Sequence, residues 1–79
     1  MAKFNAQDVR RIIRAHGRTV AETGTEVDLE ELADLRREIE DAVTLAVAGL
    51  SRRGWSWSNI GDALGVTKSA AYQRYGGAK

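Results

Sequence analysis

The sequence predicts an all-α protein of four helices, and three observations lead there. None of the 79 residues is proline, so no segment is barred from helix on that ground. β-branched residues are scattered, and no stretch alternates apolar and polar beyond a few positions, so strand patterning is missing. Apolar residues recur instead at spacings of three and four, between breaks that contain glycine.

The first helix is expected over about residues 6–22. Asn5 stands where a capping side chain belongs, and Val9, Ile12, Ile13 and Val20 recur at helical spacing. Gly17 is a weak point at which this helix is expected to bend or end, and residues 23–27 read as the connecting turn. The second helix is expected over 28–53, with Asp28 as its N-cap and Glu31 completing a capping-box-like start. Acidic residues crowd its first turns and Arg52-Arg53 close its last, as the helix dipole favours. Leu32, Leu35, Ile39, Val43, Ala46 and Leu50 form one apolar stripe, and Gly54 sits where a left-handed cap is expected. At 1.5 Å per residue this helix spans about 40 Å, more than a small core requires. The stripe therefore reads either as core or as a seam for self-association. Two short helices follow, over 57–64 with Ser56 as cap and over 68–75 with Thr67 as cap. Asn59 is placed to return a bond to Ser56, Gly65 and Val66 lie in the break, and Gly76-Gly77 closes the fold. Ala78-Lys79 is expected to fray.

At 8.6 kDa the chain is expected to form a single domain with a small core. The absence of cysteine removes disulfides, thiolate metal sites and a cysteine nucleophile. His16 is the only histidine and has no companion ligand, so no metal or other cofactor is expected. The many carboxylates read as solvating charge on one helix, and the chain is expected not to be an enzyme. No apolar run approaches the ~20 residues of a membrane span, and the first five residues lack the apolar core of a signal peptide. The expected location is the bacterial cytosol or nucleoid, with no membrane partner. The net charge of +1 hides a split. Residues 1–27 carry +2, residues 28–50 carry −5, and residues 51–79 carry +4 with Asp62 as their only acid. A basic end beside an acidic middle suits a polyanionic partner.

Residues 55–76 have the grammar of a helix-turn-helix. Gly61 is the small residue where two crossing helices touch, and Gly65 tolerates the positive φ of the turn. Ile60, Leu64, Val66 and Ala71 are spaced to face inward. The run Trp57-Ser58-Asn59-Ile60-Gly61-Asp62-Ala63-Leu64-Gly65-Val66-Thr67-Lys68-Ser69-Ala70-Ala71-Tyr72-Gln73-Arg74-Tyr75 resembles the helix-turn-helix of many small actinobacterial and actinophage DNA-binding proteins. It is also similar to the motif in region 4 of bacterial sigma factors. It departs at Lys68-Ser69, where that family often carries Arg-Gln, so a base preference does not carry over. The resemblance covers a little over a quarter of the chain and leaves the first 54 residues unmatched.

The resemblance implies that the helix from Lys68 is the recognition helix, entering the major groove of double-stranded DNA. With Ala71 and Tyr75 inward, Ser69 and Gln73 point outward, and Tyr72 lies on a flank that permits either packing or a contact in the DNA groove. Gln73 is then suited to read adenine, whose N6 and N7 an amide can bond together. Thr67, Lys68 and Ser69 would serve bases or phosphates, and Arg74 the backbone. Ser56 and Ser58 at a helix start, with Arg52 and Arg53 beside them, would attract a phosphate. Trp55 and Trp57 read as core rather than as stacking platforms. The arginines of the first helix read as a solvated face or as a second contact with DNA or another partner. The expected function is sequence-specific DNA binding by a homodimer, as a transcriptional regulator or phage accessory factor, with Leu32, Leu35, Ile39, Val43, Ala46 and Leu50 as the dimer seam. The alternatives are a protein-interaction module, such as a polymerase or host-factor adapter, and a phage packaging or excision factor.

Overall fold

The structure is a computed structural model that describes residues 4–77. The expected fraying of Ala78-Lys79 lies outside the described residues. Four α-helices and no strand are found among them: α1 (Ala6–Thr23), α2 (Glu26–Arg52), α3 (Trp57–Leu64) and α4 (Lys68–Ala71), which runs on into a π-helical turn, Tyr72–Gly76. The chain divides into two compact units, one ending at Arg36 and the other beginning at Arg37. Each is described separately.

In the first unit, Asn5 caps α1 by accepting the Asp8 N–H at 3.1 Å. Gly17 does not end the helix, which continues to Thr23. Intrahelical hydrogen bonding outweighs the modest cost of one glycine. The connection is shorter than expected, only Gly24 and Thr25. Gly24 is needed there for closeness, because a Cβ on it would lie 2.7 Å from both the Cα and the Cγ1 of Val20. The start of α2 also differs from expectation. Asp28 is not the cap but lies within the first turn, where its Oδ2 accepts the Thr25 N–H at 2.9 Å. This is the returning half of a capping box whose cap position is Thr25, so Thr25 and Asp28 take the places assigned to Asp28 and Glu31. No residue of α1 is buried.

In the second unit the core is small and well defined. Val47 of α2 packs with Ile60 of α3, Ala71 of α4 and Tyr75 of the π-helical turn, and Val43, Leu50, Trp57 and Leu64 pack against them. Two turns of one kind position these helices. At the end of α2, Gly54 adopts φ +95°, its N–H donates to the Ser51 carbonyl, and the Trp55 N–H donates to the Leu50 carbonyl. At the end of α3, Gly65 adopts φ +73°, its N–H donates to Asp62, and the Val66 N–H donates to Gly61. Both are Schellman closures, which satisfy carbonyls left open at a helix end and need a left-handed residue at one place.

Three expectations are corrected here. Trp55 is 51% exposed and outside the buried cluster, at the position whose backbone N–H closes the first Schellman turn. Val66 is 45% exposed rather than inward, since the second turn uses its backbone to cross Gly61. The last helix is α-helical for one turn only and widens at Tyr72. That widening accompanies three tertiary contacts, made by Tyr72, Arg74 and Tyr75, which sequence periodicity does not encode.

Candidate nucleic-acid interface

The elements from Trp57 to Gly76 pack as a helix-turn-helix. Ser56 Oγ accepts the Asn59 N–H at 3.0 Å, and Thr67 Oγ1 accepts the Ala70 N–H at 3.0 Å, so each helix starts at a side-chain cap. Each hydroxyl accepts in its cap and keeps its own proton to donate outward. Between the helices, a Cβ on Gly61 would lie 2.9 Å from the Val66 carbonyl oxygen and 3.0 Å from that of Thr67. Only glycine permits that approach.

The inward and outward faces of the last helix are cleanly divided. Ala71 and Tyr75 are buried, at 1% and 9% exposure. Thr67, Lys68, Ser69, Gln73 and Arg74 are exposed, with Ser69 and Gln73 one turn apart. Ser56 and Ser58 are exposed at the start of α3, and Arg52 and Arg53 at the end of α2. Tyr72 does two things: its ring meets Trp57 edge-on, with centroids 5.5 Å apart and planes at 87°, and the side chain stays more than half exposed.

Arg74 has a partner within the chain. Its Nη2 lies 3.0 Å from Oε2 of Glu40, and the Tyr75 hydroxyl donates to that same oxygen at 2.9 Å. The guanidinium carbon lies 5.6 Å from the Tyr75 ring centre. One carboxylate of α2 thus ties down two neighbours in the π-helical turn. Burial and the hydrogen bond to Glu40 raise the Tyr75 phenol above its ordinary value of 10.0, and the Arg74 charge pulls the other way. Glu40 went unnoticed in the sequence, where it reads as one acid among many on α2. A signal was present: Glu40, Val43, Thr44 and Val47 recur at spacings of three, one and three, which puts them on one helical face.

The six residues of the apolar stripe separate. Val43 and Leu50 pack against the core of the second unit, while Ile39 is 51% exposed and Ala46 is exposed. In the first unit Leu32 is half-buried and Leu35 is 48% exposed. The stripe also leaves out Val47, the most buried residue of α2.

Among the described residues no three His, Cys, Asp or Glu side chains are grouped to hold a metal, and no helix is long and apolar enough to cross a membrane. Comparison with family models, curated proteins and solved structures gives no match.

Proposed function

We propose that the chain binds double-stranded DNA in a sequence-specific way, with the helix beginning at Lys68 in the major groove. In this reading it is a binding protein rather than an enzyme and acts in the bacterial cytoplasm. Its role is that of a transcriptional regulator or accessory factor of the actinobacterial or actinophage kind. The observation that carries the reading is the division of that helix: Ala71 and Tyr75 are committed to the core, leaving Ser69 and Gln73 presented together on the open face.

Gln73 reads a base, and the free hydroxyl protons of Ser56 and Thr67, with Lys68, Arg52 and Arg53, meet phosphates. Arg74 joins them only by leaving Glu40. One recognition helix with few cations binds weakly, so the protein acts as a homodimer on half-sites about 34 Å apart. Within the second unit the exposed side chains of Ile39 and Ala46 support such pairing, whereas Val43 and Leu50 already have partners in the core.

Selection from a random duplex pool, with mass measured by light scattering, tests the reading. The expected product is a palindrome bound by two chains. Gln73→Ala should relax discrimination at one base pair per half-site, by roughly 1–3 kcal/mol. Recovery of no enriched sequence, together with affinity that ignores salt, would overturn the proposal.

A further inference from the structure

The helix α1 carries four arginines and no lysine, and the DNA contacts proposed above do not include them. At 100° per residue, Gln7, Arg10, Arg11, Arg14 and Arg18 fall within one arc of about 100°, while Val9, Ile13 and Val20 lie on the opposite side. All four arginines are exposed, and Gln7, Arg10, Arg11 and Arg14 line an open trough. Arg11 is partly neutralised by Asp8, 3.5 Å away with both side chains mostly exposed. Arg10, Arg14 and Arg18 have no ion pair among the described residues. Three like charges one turn apart repel each other at rest, and an anion bound across them relieves that repulsion.

We infer that this arginine face of α1 is a second nucleic-acid surface, which grips the phosphate backbone without reading bases. The inference rests on the DNA-binding reading and adds a contact outside the helix-turn-helix. Spacing supports the occupant. From Arg10 to Arg18 the helix rises about 12 Å at 1.5 Å per residue. One DNA strand advances roughly 3.4 Å per phosphate, so that length faces about three or four phosphates. Side-chain type supports it too, since the planar guanidinium fork matches phosphate oxygens in pairs. The acidic stretch of α2 in a second copy fits less well, because Arg36 and Arg37 stand between Asp34 and Glu38.

The test compares the full-length protein with a triple variant, Arg10→Gln, Arg14→Gln and Arg18→Gln, on a 20-base-pair duplex of arbitrary sequence across a salt series. Glutamine keeps nearly the helix propensity of arginine, and circular dichroism checks that the variant stays helical. Each lost phosphate contact removes about 0.9 from the slope of log affinity against log salt, so the slope should flatten by two to three. The matching triple lysine variant should restore it. An unchanged slope in the glutamine variant, with the parent still binding in a salt-dependent way, overturns this inference and leaves the helix-turn-helix reading intact. No salt-dependent binding by the parent overturns both. Loss of salt-dependent self-association without DNA, with the slope on DNA unchanged, assigns the face to a second copy and overturns the inference.

Discussion

The two halves of this small protein keep their helices by different means. From Arg37 onward, Val47, Ile60, Ala71 and Tyr75 are buried together, and both helix ends after α2 and α3 are closed by left-handed glycines. Up to Arg36 no described residue is buried, and the helices rest on side-chain caps at Asn5 and at the Thr25–Asp28 pair. The first arrangement holds its helices by buried side-chain packing as well as by closed ends. The second has half-buried side chains such as Val20 and Leu32 and relies chiefly on its caps. That difference fits the functions proposed for each: base reading needs a rigid helix, whereas phosphate gripping needs charge along a line and tolerates looser geometry.

The largest effect should come from breaking the core. Ile60 is 3% exposed, and its truncation in Ile60→Ala should cost about 2–5 kcal/mol, as buried aliphatic truncations do. Ile12 is 67% exposed, and Ile12→Ala should change stability by less than about 0.5 kcal/mol. Urea titration followed by circular dichroism measures both. Equal losses would mean that the two regions are stabilised alike after all.

Glycine sharpens the contrast by reversing the sign. Gly61→Ala sets a methyl 2.9–3.1 Å from backbone atoms of Val66 and Thr67, which cannot yield as a side-chain tip would. An overpacking loss of about 1–3 kcal/mol is expected. A Cβ on Gly17 meets nothing within 4 Å, and Gly17→Ala should stabilise α1 by about 0.5–1 kcal/mol. Both positions are helical glycines, and thermal melts of the two variants should move in opposite directions.

How much of this was legible in the sequence depended on how locally each feature is determined. The caps at Asn5, Ser56 and Thr67 were readable, because each needs one side chain three residues from its target. So were Gly61 and Gly65, whose roles follow from lacking a Cβ. The start of α2 was misread because Thr25 and Asp28 both qualify as caps, and only the observed bond assigns Asp28 to the returning position. Trp55 and Val66 were misplaced because hydrophobicity does not reveal that a residue's backbone closes a turn. Spacing places Glu40 on the face of α2 that carries Val43 and Val47, but its partners Arg74 and Tyr75 lie 34 and 35 positions away, and local spacing does not identify them.

That cluster separates stability from binding. Glu40→Gln keeps an oxygen to accept from the Tyr75 hydroxyl but removes the charge that holds Arg74. The ion pair is largely solvent-exposed, so its loss should cost under about 1 kcal/mol. If DNA binding is as proposed, the released Arg74 should strengthen affinity and steepen the salt slope by about 0.9, one phosphate contact. A slope left unchanged would mean that Arg74 serves only the fold.

The smallest effect lies at the alkaline edge, where the same cluster gives a sign that can be worked out. The Tyr75 phenol titrates above 10.0 in the folded chain because burial and Glu40 disfavour the phenolate. The unfolded chain releases that proton first. The stabilising preference for the protonated phenol is therefore complete below pH 10 and is lost as pH rises through the raised folded value. Denaturant midpoints should stay level on this account through neutral pH and fall above pH 10. Tyr75→Phe removes the titrating group, so its midpoint should fall less steeply over the same interval, while substitutions confined to α1 leave the alkaline slope as it was. A variant and parent that decline in parallel would show that the alkaline loss arises at groups other than Tyr75.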